Sequence, residues 1–173
     1  MTLIIEDGTN VAGANSYATL TTIRAYAVAR GVTTLSAVDA TLEAQVMKAM
    51  DYIEAQRSKY QGEQTYKTAT VAQALQWPRK NVLIDCIALD DATIPQELID
   101  AEGELTIQIA AGVELYPTTT GNFVIREKID VIDTSYSEKI GTSSQPNLPS
   151  VDRLLDVLFS SCGNANYLSN VRV

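Results

Sequence analysis

Residues of types that do chemistry are few in this chain, and their spacing decides how far each can be taken. Asp85, Asp90 and Asp91, in "VLIDCIALDDATIP", could ligate calcium. The D-x-[DN]-x-[DN]-G order of an EF-hand loop is missing, so the stretch reads as a solvated lead-in to a helix. Asp100, Glu102 and Glu104 invite a paired-carboxylate reading. At i, i+2 spacing they do not share one helix face, and a solvated acidic face is expected instead. Cys86 and Cys162 make no C-x-x-C and have no histidine to join them as metal ligands. Buried free thiols are the expectation, since a reducing compartment keeps them so. Trp77, the single tryptophan, stands with Pro78, Arg79 and Lys80 in "QALQWPRKNV". An aromatic beside two cations has the elements of a base-stacking platform, but such platforms combine aromatics with a basic groove. A corner anchor is the stronger reading, because proline disfavours helical geometry in the residue before it.

Histidine is absent from all 173 residues. That removes Ser-His-Asp and Cys-His catalysis and the usual zinc sites, leaving acid–base work to carboxylates, Lys or Tyr. Gly8 and Gly13 form no G-x-G-x-x-G, and no Walker A loop or nucleophile elbow is present. No catalytic residue, metal or cofactor is therefore expected, and the chain is read as not an enzyme.

The elements that must position these residues follow from patterning. The length is that of one domain with arms, and 46% hydrophobic residues argue for a folded chain. No apolar run reaches the roughly 18–20 residues that span a bilayer, and "MTLIIEDGTN" lacks the basic and apolar regions of a secretory signal. The expectation is a cytoplasmic protein. With 13 Lys+Arg against 21 Asp+Glu, the net charge is −8. Sequence-independent DNA binders displace counterions with Lys and Arg, so the charge argues against general nucleic-acid affinity.

Residues 1–18 read as an extended N-terminal arm, punctuated by Gly8, Asn10, Gly13 and Asn15. Residues 19–30 predict a helix capped by Thr19 and stopped by Gly31, with Leu20, Ile23, Ala27 and Val28 on its apolar face. Residues 39–57 predict a helix with Asp39 as N-cap and the stripe Leu42, Val46, Ala49, Met50 and Ile53. Residues 68–76 predict a short helix ended by Pro78, and residues 95–115 a longer one opened by Pro95. In the latter, Gly103 points to close helix–helix approach. Period-2 alternation of Phe123, Ile125 and Glu127 with Val124, Arg126 and Lys128 predicts a hairpin reversing near 129–131. A two-stranded ribbon alone is marginal, so it wants a neighbour. Ser150 would cap a last helix, 150–161, before the tail "CGNANYLSNVRV". The fold class is mainly α: a small helical bundle with a protruding β-hairpin and extended N- and C-terminal arms. Its divisions are 1–18 arm, 19–121 helical core, 122–140 hairpin, 141–161 linker and closing helix, and 162–173 tail.

Several segments, taken in order, resemble a known family. They are "IIEDGTNVAGANSYATL" (Glu6, Asp7, Gly8, Thr9, Ala14, Asn15, Ser16, Tyr17), "AMDYIEAQ" at 49–56, "QALQWPR" at 73–79, Ile94-Pro95, "REKID" and "VDRLLDVL". This order resembles the head–tail connector (adaptor) proteins of tailed phages and prophages, often labelled DnaT-like single-stranded-DNA-binding proteins. The resemblance implies a helical domain assembling as a homo-oligomeric ring, taken as a dodecamer, beneath the portal. The ring would bridge the portal protein to a stopper or tail-completion protein in the virion neck, after assembly in the host cytoplasm. Double-stranded DNA would pass its lumen ungripped, as an acidic duct suits. No membrane is implied. On that reading Trp77, Pro78 and Arg79 are a structural anchor. Phe123, Ile125, Arg126, Lys128 and Val131 would form a subunit interface. Tyr167, Leu168, Val171, Arg172 and Val173 would form a portal-binding tail. The alternative is a DnaT-like ssDNA binder in which Trp77, Arg79 and Lys80 carry stacking and phosphate contacts.

Overall fold

Helix α3 (Gln96–Ala110) is the element against which α1 (Leu20–Ala29), α2 (Asp39–Ala55) and α4 (Pro149–Phe159) all pack. The computed structural model describes residues 2–116, 126–129, 132–135 and 146–159. Among the described residues there are three two-stranded antiparallel ladders: β1 (Glu63–Gln64) with β2 (Arg79–Lys80), β3 (Leu83–Ile84) with β4 (Ile87–Ala88), and β5 (Arg126–Ile129) with β6 (Ile132–Ser135). By contacts the chain forms two units, one of residues 1–113 with 148–173 and one of residues 114–147.

The first unit's core follows from apolar spacing. In α2 the whole predicted stripe is buried, and Tyr52 with it. Asp39 does not cap, however. It is the helix's first residue, and its carboxylate takes a 2.7 Å ion pair from Arg24. Thr19 does cap α1, accepting from the Thr22 N–H. Ile23 and Ala27 face inward there, whereas Val28 is 70% exposed and off the buried face. α4 starts at Pro149, one residue before the expected cap, and Ser150 donates to Glu104 across to α3 instead. It buries Val151, Leu155 and Leu158. Helix α3 ends at Ala110, short of the expected 115; Gly112, at φ +93°, turns the chain out of the helix. Gly103 lets α3 approach α1. A Cβ there would stand 2.9 Å from Tyr26 Cδ1.

Residues 68–76 form turns and bends rather than the expected helix. They hold no apolar stripe to bury: Val71 is exposed and only Leu75 is inside. The Gln73 side chain replaces a helical ladder by donating to the Leu75 and Pro78 carbonyls and accepting from Tyr66 N–H.

The N-terminal segment is not an extended arm. Ile5 bridges Ser16, and Asn15 N–H donates to Ile4 O at 2.8 Å, so the chain folds back within the first unit. The expectation of free thiols also fails at Cys86, which is disulfide-bonded. Sequence separation, which suggested two unrelated thiols, says nothing about distance in space. The other cysteine, Cys162, lies outside the described residues.

The second unit contains the β5–β6 hairpin, with Ile129 opposite Ile132 and Arg126 opposite Ser135. The reversal falls where alternation placed it. Among the described residues no helix is long and apolar enough to cross a membrane.

Candidate functional site

Of the segments that carry the resemblance, the one ending with Tyr17, the one holding Glu54 and the one holding Trp77 meet inside the first unit. Glu6 is 1% exposed and sits within its own loop. Its carboxylate accepts from the N–H groups of Gly8, Asn10 and Val11 at 2.9–3.0 Å. A buried carboxylate needs such donors, and the turn residues supply them. Gly8 has no substitute there: a Cβ would lie 1.8 Å from Ala92 O, and its φ is +100°.

Ser16 and Tyr17 bind the same segment to α3. Glu102 accepts the Tyr17 N–H at 3.0 Å, and its other oxygen lies 2.5 Å from Ser16 Oγ. Glu102 is fully buried rather than part of a solvated acidic face. Burial lifts its carboxyl to about 7, against the opposing pull of the hydrogen bonds from Ser16, Tyr17 and Ala18. Asp100 and Glu104 are half-buried. Asp100 accepts from Gln96, and Glu104 from Gln108 and Ser150.

Tyr17 then reaches the tryptophan corner. Its hydroxyl donates to Glu54 at 2.7 Å and accepts the Trp77 N–H at 3.1 Å. The second Glu54 oxygen accepts the Gln76 N–H at 2.9 Å. Burial first, then the Glu54 carboxylate, pushes the Tyr17 phenol well up, so it stays a donor. Burial also raises Glu54, opposed by the hydrogen bonds from Tyr17 and Gln76.

Trp77 is 0% exposed and meets Tyr60 edge-on, ring centroids 5.8 Å apart. Tyr60 in turn touches Phe159 of α4 at 5.3 Å. The Trp77–Pro78 peptide is cis. Arg79 is 6% exposed. Its guanidinium donates to Gln61 O at 2.6 Å and to Gly62 O at 2.8 Å. Lys80 pairs with Glu63 across the β1–β2 ladder at 3.5 Å. The expected anchor residues therefore lie together and inside. Neither Trp77 nor Arg79 presents a face to a nucleic acid.

A family model described as "Putative DnaT-like ssDNA binding protein" matches residues 1–173. The chain belongs to that family. The description names single-stranded DNA and no portal, neck or ring. It agrees with the ssDNA alternative, and the DnaT-like family name alone does not carry the connector role. No curated protein and no solved structure matches the chain.

Sequence reasoning missed the Glu6 and Glu102 hubs. Of the expected interface residues, Arg126 and Lys128 lie on β5, opposite Ser135 and Asp133, while Phe123, Ile125 and Val131 fall outside the described residues. The expected portal-binding residues Tyr167, Leu168, Val171, Arg172 and Val173 fall outside them too.

Proposed function

We propose that the protein is a non-catalytic structural adaptor of a tailed-phage neck. Copies form a ring on the portal and join it to a stopper or tail-completion protein, and DNA passes through the lumen. The observation that carries this reading is the use made of the residues on which the resemblance rests. Glu6, Ser16, Tyr17, Glu54, Trp77 and Arg79 are spent on internal hydrogen bonds and packing. Residues that fix a shape, with a net charge of −8 around them, suit a part that stacks with others and repels DNA phosphate. The hairpin, a ribbon of two four-residue strands, has the marginal stability that a neighbouring copy can complete. The tail from Cys162 would contact the portal. Negative-stain averages of the cognate portal mixed with this chain should show an added ring on the portal axis; an unchanged portal would overturn the reading.

The family description favours a second reading, ssDNA binding. It predicts fluorescence anisotropy of a labelled oligonucleotide that rises with protein at low salt and falls as salt is added. Its contacts would come from residues other than Trp77 and Arg79.

A further inference from the structure

The β3–β4 hairpin has one edge covered and one edge open. Asp85 and Cys86, at φ +49° and +66°, make its two-residue turn, as a type I′ reversal requires. Leu89 N–H donates to Val82 O at 2.9 Å, which makes Val82 and Leu89 a hydrogen-bonded pair. Such pairs alternate along an antiparallel ladder, so the next pair, Leu83 and Ala88, turns its N–H and C=O groups outward. On the β3 side the Gln61 amide takes both groups. Its Oε1 accepts the Leu83 N–H at 3.2 Å, and its Nε2 donates to Leu83 O at 3.1 Å. On the β4 side Ala88 is exposed. An apolar groove lies between that edge and the start of α3. Its volume is about 340 Å³, and Ile84, Ile87, Leu89, Thr93 and Pro95 line it. Ile87 is 72% exposed, the most of any large apolar side chain among the described residues. The groove's charged lining is Asp85 and Glu97, with no Lys or Arg.

We propose that the β4 edge takes an added strand: an extended segment of another protein, apolar at alternate residues and carrying Lys or Arg at its ends. The main chain selects a strand. Ala88 offers one outward N–H and one outward C=O, the pair of bonds that Gln61 already makes on the opposite edge. The side chains select the alternation. Ile87 and Leu89 stand two residues apart, and Ile84 lies across from Ile87, so one face of the incoming strand meets apolar groups in the groove. Charge selects the ends, because the carboxylates of Asp85 and Glu97 attract a cationic segment and repel an acidic one. This proposal is independent of the neck reading, since it concerns one open edge of a single subunit.

Fluorescence anisotropy of a labelled Lys-Val-Thr-Val-Thr-Val-Lys peptide, titrated with the full-length chain, tests it. Saturable binding is expected. The same peptide with its central amides N-methylated should bind about tenfold more weakly, because it cannot donate to the edge. Ile87→Lys, at an exposed position, should leave the melting temperature unchanged and weaken binding by a similar factor. Asp85→Asn/Glu97→Gln keeps a residue that tolerates positive φ at the turn, and should remove most of the salt dependence of binding. Absence of saturable binding would overturn the proposal. Equal affinity for the methylated peptide would overturn it too, by reducing the contact to charge attraction, and so would wild-type affinity in Ile87→Lys. A chain that self-associates, and becomes monomeric with Ile87→Lys, would also overturn it and assign the edge to a second copy.

Discussion

At the residue scale, Trp77 and Glu102 carry opposite kinds of consequence. Trp77 is a large, fully buried ring between Tyr60 and the Tyr17–Glu54 hydrogen bonds. Its replacement by alanine leaves a cavity, so Trp77→Ala should cost about 3–5 kcal/mol in a urea titration. A loss below about 1 kcal/mol would contradict the packing role. Glu102 stores an ionisation penalty. Its carboxyl titrates at about 7 in the fold and, once unfolded, near the ordinary 4.5. Between those values the native state holds a proton that the unfolded chain has released. Stability from this group therefore falls as pH rises from 4.5 to 7, by up to about 3 kcal/mol, and is flat above that. Glu102→Gln can keep the Tyr17 N–H bond and donate to Ser16. It should flatten the profile in that window and raise the melting temperature at pH 8. A lower melting temperature at pH 8 would show the charge itself to be needed.

At the element scale, the closeness of α1 and α3 rests on Gly103. Alanine there gains up to about 1 kcal/mol of helix propensity and loses about 1–3 kcal/mol to overpacking against Tyr26. The expected net effect of Gly103→Ala is a loss of about 1 kcal/mol, read by thermal melting. A gain would mean that the Tyr26 ring moves aside freely. Helices were legible in the sequence where an apolar stripe was long, as in α2, where every expected stripe residue is buried. The hairpin was legible from strict alternation. Segment 68–76 reads as a helix because its alanines and glutamines favour one, while the local side-chain bonds of Gln73 hold turns instead. Glu102 reads as solvated because its partners Ser16 and Tyr17 are 86 and 85 residues away. Spacing within one helix cannot reveal them. The N-terminal loop reads as an arm for a related reason: its turns are visible in the sequence, but the Glu6 carboxylate they close around is not.

At the scale of the whole molecule, three of the motif segments, those holding Tyr17, Glu54 and Trp77, join one internal network that reaches α3 at Glu102. Partners must decide between the ssDNA-binding description of the family and the adaptor role proposed above. The measurement that decides most directly is native mass spectrometry of the full-length chain with and without the cognate portal protein. The adaptor account predicts a many-copy assembly on the portal. A chain that stays monomeric beside an unoccupied portal would contradict it and return the question to single-stranded DNA.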